Sequence, residues 1–240
     1  MKIQPIKTHL IELHEPLLEI LDAYLPRLEE RSIVAVTSKI VSVSEGRVVG
    51  KTISKRELIE QEADLYLEEL NQHGVLLTIK NNILIPNAGI DESNADGVYI
   101  LYPEDIFLSA SKIWEFLRKR DRLLEVGVII TDSHTSPMRW GVTGIGIGWC
   151  GFMPLNNYIG TPDCYGHHLR FTKVNVVDAL AVSAVFTMGE GNEQTPLALL
   201  TELDSVAFVG QPPSKEEIES LHIPMDQDLY GPLLTQGTWV

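Results

Sequence analysis

The stretch VGVIITDS (126–133), which runs directly into HTSPMR (134–139) and the glycine-rich GVTGIGIGWCG (141–151), decides the fold class. Its opening residues, apolar or glycine, make a run of the length and character of a strand buried on both faces. The chain then leaves that strand on Asp132 and Ser133. In open α/β folds, ligands gather at the carboxyl ends of the strands. A carboxylate and a hydroxyl at that point are therefore candidate ligand contacts.

The neighbouring segments read as a mixture of helices and strands. EDIFLSASKIWEFLRKR (104–120) is a helix with acids in its first turn and Lys and Arg in its last, which complements the helix dipole at both ends. EPLLEILDAYLPRLEE (15–30) is amphipathic and helical, whereas RSIVAVTSKIVSVSEGRVVG (31–50) turns β-branched and alternating, as a strand would. KRELIEQEADLYLEEL (55–70) is a second acidic-faced helix, VLLTIKNNILIPNAG (75–89) a hairpin around Asn81-Asn82, and GVYILYP (97–103) a short strand. VNVVDALAVSAVFTM (174–188) is apolar enough for a central helix, with Asp178 requiring a hydrogen-bond partner there. SVAFVG (205–210) closes the series as a strand. The expectation is an α/β (α+β) protein with mixed sheets, a single domain over 1–240 built as two intimately packed, interleaved lobes. With no repeat or linker, a second lobe has to arise by insertion.

Composition excludes several functions. A formal net charge of −14 over 240 residues argues against nucleic acid as a partner. No apolar run approaches the length that crosses a bilayer, and MKIQPIKTHL has no signal-peptide core, so a cytoplasmic protein is expected. Cys150 and Cys164 have neither the number nor the spacing of a disulfide framework or a zinc site, and both read as reduced thiols.

Three clusters carry chemistry. In NAGIDESNADG (87–97), Asp91 and Asn94 lie in a glycine-bounded turn; such residues also make simple Asx-turns and caps. Asp132 and Ser133 form the second. In MGEGNEQTP (188–196), Glu190 sits between two glycines beyond a helix, a place where glycine is commonly only a C-cap. Together, carboxylates ending separate apolar elements suit a hard divalent cation, which takes oxygen ligands and completes its shell with water and phosphate. That implies a nucleotide, yet the chain has no GxxxxGK[ST], and GIGIG lacks the GxGxxG spacing and reads as strand.

These residues resemble the coenzyme F420-0:L-glutamate ligases, GTP-dependent γ-glutamyl ligases. The resemblance is carried in order by PIKT (5–8), AVTSKIVSVSEGR (35–47), IPNAGIDESNADG (85–97), YPED (102–105) with SASKI (109–113), VGVIITDS, PMRWGVTGIGIG (137–148) and MGEGNEQTP. It implies that Asp91, Asp132 and Glu190 bind Mg²⁺ or Mn²⁺, with Ser133 in place of a metal-contacting threonine and K⁺ as a further cation. It implies nucleotide contacts (GTP or ATP) from Pro5, Ile6, Lys7 and Thr8, from Ser38 and Lys39, from Asn94, and from Met188, Gly189, Gly191, Asn192, Glu193, Gln194 and Thr195. Asp91, Asp132 and the retained Arg139 are then the catalytic candidates. The implied reaction adds L-glutamate or another amino acid to a small carboxylic acid through an acyl phosphate, in a homodimer. The alternative is an inactive relative that keeps a nucleotide- or metal-binding regulatory role.

Three departures remove a positive charge. Val43 occupies a family lysine position, and Ser136 and His167 occupy arginine positions, so a less anionic acceptor is expected. His134 replaces an aromatic; a lone histidine is more often a packed or solvated side chain than a ligand or base.

Overall fold

The computed structural model of the protein describes residues 1–68, 74–95 and 97–240. Strand β1 (Lys2–Ile6) leads to helix α1 (Leu17–Tyr24), strand β2 (Ser32–Thr37) and helix α2 (Ser38–Glu45). There follow β3 (Val48–Gly50), α3 (Lys55–Glu62), β4 (Leu65–Tyr66), β5 (Leu77–Lys80), β6 (Ile83–Pro86) and β7 (Val98–Ile100). Helix α4 (Ile106–Asp121) returns the chain to β8 (Val126–Thr135) and β9 (Val142–Cys150). β10 (Leu155–Asn157), β11 (Lys173–Asn175), α5 (Val176–Met188) and β12 (Leu197–Thr201) come next, and α6 (Lys215–Leu221) and α7 (Gly231–Leu234) lie in the C-terminal segment.

The main sheet has the order β1-β12-β2-β8-β9. Only β2 and β8 pair in parallel; the other three pairs are antiparallel. β2 and β8 lack polar alternation because helices cover both their faces. On one face Val34, Val36, Val128 and Ile130 pack with Ile113, Trp114 and Leu117 of α4. On the other, Ile33, Ala35 and Ile129 meet Val177, Ala181 and Ala184 of α5. Residues 38–125, between the two parallel strands, include a smaller core around Leu58, Ile59, Leu76, Ile90 and Leu101, with its own sheet β4-β5-β6 and the pair β3-β7. The mixed α+β class is as the sequence indicates. So is the Asn81-Asn82 hairpin, whose two residues have φ of 52° and 58°, the left-handed geometry that a tight hairpin turn demands.

The glycines of β9 are a packing device. Ile130 stands opposite Gly148 but Thr131 opposite Gly146, so the register shifts and Ile147 is the extra residue of a bulge. A Cβ on Gly144 would stand 2.5 Å from the Ala181 carbonyl oxygen of α5, and one on Gly146 would run into Val177. Past the bulge, a Cβ on Gly148 would instead meet Ile106 of α4. GIGIG thus lets α5 lie with its backbone almost on the strand. Asp178 secures the seating: it accepts from the Gly146 amide at 3.0 Å and from Asn175 Nδ2 at 2.5 Å, the pairing that its apolar helix calls for.

Four elements differ from the sequence reading. The strand read over 31–50 ends at Thr37, and SKIVSVSE coils into α2, burying Ile40 and Val41 before stopping at left-handed Gly46. Helical packing overrides the β-branched content there. The helix read over 55–70 stops at Glu62 because Leu65 and Tyr66 pair with β5; Glu69 and Leu70 lie outside the described residues. The helix read over 15–30 ends at Tyr24, ahead of Pro26, since a proline disfavours helical geometry in the residue before it. SVAFVG is not a strand but a loop with a single bridge from Phe208 to Phe152. The strand of that region is β12, in LALLT, which inserts between β1 and β2. The acids expected in the first turn of α4 reduce to Asp105, its N-cap, which accepts from the Leu108 amide.

Candidate functional site

Because β2 and β8 are parallel, their carboxyl ends open on the same side of the sheet. There β2 passes through Thr37 into α2, and β8 continues through Asp132 and Ser133. The loop after α5 and the turn that carries Asp91 and Asn94 complete the walls of one cleft. Its volume is about 260 Å³, roughly nine times the ~30 Å³ share of a water molecule. A polyatomic ligand fits, not merely a lone ion.

Asp91 hangs from a turn whose residues Asn87, Ala88 and Gly89 all have positive φ (54°, 54° and 72°). Its carboxylate faces Lys39 Nζ at 2.7 Å and accepts from the Ser93 amide at 2.6 Å. Burial pushes this carboxyl up, but Lys39 and the Ser93 amide outweigh it and hold Asp91 below the usual range. Lys39 Nζ also donates to the Ser93 carbonyl at 3.0 Å. Asp132 behaves in the opposite way. Burial raises it to about 6, against the pull of the Tyr102 hydroxyl and the Ser133 amide, and the charge of Asp91 adds to the rise. Tyr102 donates to Asp132 Oδ2 at 2.5 Å. Burial, and then the Asp132 charge, push its phenol well above its ordinary value.

Next along β8 from Asp132, Ser133 Oγ donates to Glu190 Oε1 at 2.6 Å. Gly189 and Gly191 frame Glu193, whose carboxylate accepts the Gly191 amide at 2.8 Å, and a Cβ on Gly189 would collide with that carboxylate. Thr195 Oγ1 donates to the Met188 carbonyl, Thr8 N to the Gln194 carbonyl at 3.0 Å and Thr37 N to the Pro196 carbonyl at 3.0 Å. The loop is thereby tied to both β1 and β2. Asn94 Nδ2 reaches across to the Gly191 carbonyl at 3.2 Å. Helix α2 begins at the cleft with no side chain capping its first turn, so its N-terminal end offers backbone N–H groups and positive dipole character to an anion.

The structure brings most of the sequence candidates together: Thr8, Lys39, Asp91, Asn94, Asp132, Ser133 and the run Met188–Thr195 all line the cleft. Pro5, Ile6, Lys7, Ser38 and Arg139 do not. Pro5 and Ile6 are paired with Ala198 and Leu197 in the edge strand, with Ile6 in the core, and Ser38 is buried. Arg139 is exposed in the β8–β9 turn. His134 lies across the same hairpin, its Nδ1 3.3 Å from the Thr143 carbonyl oxygen. Of the three charge-losing positions, Val43 lines the cleft, whereas Ser136 and His167 do not. Sequence reasoning missed His9, Leu10, Ile11 and Thr37 as wall residues, and Tyr102 behind Asp132. Only Thr37 and Tyr102 had a signal, as neighbours or members of the SK and YPED motifs.

Among the described residues, no three His, Cys, Asp or Glu side chains stand together as a ready metal cage. The donors are instead the carboxylates of Asp91 and Asp132, with the hydroxyl of Ser133 and the carboxylate of Glu190 in the same cleft. That set fits Mg²⁺ or Mn²⁺, which use one or two carboxylates and leave their other positions to water and phosphate. A carboxylate buried beside a second one, as Asp132 is beside Asp91, is also a place where a cation relieves repulsion.

The class follows from the sequence match: the family model described as F420-0:Gamma-glutamyl ligase covers residues 5–202, and the chain belongs to that family of ligases. The coenzyme F420:L-glutamate ligase of Methanopyrus kandleri is 34% identical, the match covering 80% of each chain. That of Archaeoglobus fulgidus is 33% identical over 80% of this chain and 82% of its own. That of Methanocaldococcus jannaschii is 31% identical over 72% and 76%. Among the described residues no helix is long and apolar enough to cross a membrane.

Proposed function

We propose that the protein is a nucleotide- and divalent-metal-dependent ligase that joins L-glutamate through an amide bond to a small carboxylic acid. The observation that carries the reading is the pairing of opposite demands in one cleft. The uncapped start of α2 and Lys39 suit phosphate, and Asp91, Asp132, Ser133 and Glu190 suit a divalent cation. Glutamate as the amino acid is supported by the names of the relatives.

In this reading the acceptor carboxylate attacks the γ-phosphorus of GTP or ATP and the nucleoside diphosphate departs. The glutamate amine then attacks the acyl carbon, loses a proton, and expels inorganic phosphate. Lys39 and the first N–H groups of α2 hold phosphate oxygens in place, positioning being most of phosphoryl-transfer catalysis. Bound Mg²⁺ or Mn²⁺ supplies neutralisation of the phosphate charge. Asp91 would share in holding the metal, and Lys39, now paired with Asp91 at 2.7 Å, can then turn its ammonium to phosphate. Val43 leaves the cleft one positive charge short, in keeping with a less anionic acceptor. The exposed Met138 and Trp140 of the β8–β9 turn and Phe186 of α5 support a homodimer, for which a monomeric mass at micromolar concentration would be the contrary result.

A thermal-shift screen of GTP and ATP with Mn²⁺ and Mg²⁺, followed by mass spectrometry of mixtures containing L-glutamate and candidate acids, tests the proposal. Ligand binding raises the melting temperature by mass action. No stabilisation by any nucleotide–metal pair would remove the reading.

A further inference from the structure

We infer that Tyr102 is a positioning residue: it aims the carboxylate of Asp132 into the cleft, and Gly89 is glycine so that the ring of Tyr102 can reach it. The inference deepens the ligase reading and rests on it for the metal-binding role of Asp132.

Tyr102 is 3% exposed and does not line the cleft. Its hydroxyl donates to Asp132 Oδ2 at 2.5 Å, so an aspartate that could rotate about its terminal torsion is held in one orientation. The tyrosine itself is fixed from three sides. Its carbonyl accepts from Arg47 Nε at 3.0 Å, and Arg47 is paired in turn with Glu62 at 2.9 Å. Pro103 follows it and restricts its backbone. The ring packs on the backbone of Gly89, where a Cβ would stand 2.7 Å from the phenol oxygen and closer still to the ring carbons.

That glycine closes a turn of three successive positive-φ residues. Left-handed geometry is unfavourable for a non-glycine residue, and the turn is held against that cost. The Asn87 side chain accepts the Leu76 amide at 3.0 Å, and Thr78 Oγ1 accepts the Ala88 amide at 2.8 Å. Two residues beyond Gly89 the same turn delivers Asp91. One strained turn therefore places one cleft carboxylate directly and steers the other through Tyr102.

The simpler account is that the phenol is buried for packing and uses Asp132 only to satisfy its hydroxyl. The two accounts differ in metal affinity. Mn²⁺ binding would be titrated calorimetrically into the full chain carrying no change, Tyr102→Phe, Asp132→Asn, or both, with thermal unfolding confirming the folded state of each. A hydrogen-bond partner of a metal ligand is typically worth 10–100-fold in affinity. The expected result is a 10–100-fold loss for Tyr102→Phe alone and less than about threefold further loss when Asp132 is already asparagine. With Mn²⁺ raised to saturation, kcat of Tyr102→Phe should recover. Gly89→Ala, which displaces the ring but keeps the hydroxyl, should weaken Mn²⁺ in the same direction, and because its turn also carries Asp91 only the part of that loss that vanishes in the Asp132→Asn background counts as acting through Tyr102; it is the second reading should the phenylalanine variant misfold. Wild-type-like Mn²⁺ affinity in Tyr102→Phe would overturn the inference, as would an equal loss in the Asp132→Asn background. Failure of the unaltered protein to bind Mn²⁺ would instead overturn the ligase reading beneath it.

Discussion

Replacing Asp121 by asparagine should lower the melting temperature by about 6–12 °C and leave the cleft intact. Asp121 ends α4, and its side chain is 2% exposed. It accepts from Arg120 Nη2 at 2.6 Å, Arg27 Nη1 at 2.6 Å and the Leu28 amide at 3.0 Å. Arg120, itself 9% exposed, sends its other N–H groups to the carbonyls of Leu21, Leu25 and Pro26 at the end of α1. The cluster fastens two helix ends together. The Arg27 partner is 79% exposed, so that pair is worth only about 0–1 kcal/mol. The Arg120 pair is buried, and breaking such a pair costs about 3–5 kcal/mol. Asparagine keeps the shape and one acceptor, which places the loss near ~3 kcal/mol, at about 2–4 °C per kcal/mol for a chain of this size. Burial raises the Asp121 carboxyl, but Arg120, Arg27 and the Leu28 amide outweigh it and hold it below its ordinary value. Its contribution is therefore full above the unfolded pKa of about 3.9 and is lost as pH falls through the lower folded value. Calorimetry from pH 4 to 8 should show a near-constant deficit that closes only in stronger acid, while Arg27→Ala costs under ~1 kcal/mol. An asparagine variant melting within about 2 °C of the unaltered protein at pH 7 would refute the assignment.

Three other outcomes are expected. Cys164 is exposed and Cys150 buried, its thiol pushed up to about 12 by burial; a thiol reagent at pH 8 should label one equivalent in folded protein and two after denaturation, and rapid double labelling of folded protein would contradict this. Gly144→Ala should lower the denaturant midpoint by the equivalent of about 1–3 kcal/mol, because its methyl meets the α5 backbone; an unchanged midpoint would mean that the helix yields freely. Given coenzyme F420-0, GTP, L-glutamate and Mn²⁺, the protein should glutamylate more slowly than the Methanopyrus kandleri relative, because Val43 stands where the resemblance expects lysine; equal rates would show the charge to be compensated elsewhere.

Where a residue's role follows from its place along the chain, the sequence was readable. Asp132 and Ser133 end an apolar run, and although β8 runs on to Thr135 rather than stopping there, its pairing with β2 ends at Thr131, so the two residues still fall where the parallel pair opens. Asp178 had to be paired because its helix is apolar throughout, whichever donor arrived. Roles that depend on which neighbour comes through space were hidden. Val41 is β-branched whether in strand or helix, and only the core that buries it makes α2 helical. Pro5 and Ile6 share a motif with Thr8, yet the edge strand turns them away from the cleft, since resemblance carries a segment and not the direction of each side chain. Tyr102 lies thirty positions from Asp132, and no periodicity links a phenol to a carboxylate at that distance.

The position of β12 between β1 and β2 has a consequence for how the chain is made. Residues 2–6 find their partners only at 197–201, and one edge of β2 waits for the same segment. At a ribosomal pace of about 5–20 residues per second, the interval between the first strand and its partner is on the order of 10–40 s. Throughout it SIVAVT, among the most apolar segments of the protein, lacks a full set of hydrogen-bond neighbours even after β8 has emerged. A nascent chain halted before residue 197 therefore presents a sticky, half-paired sheet, so truncated products should be found with chaperones or in aggregates, and slow closure of this last insertion should limit the yield of folded protein.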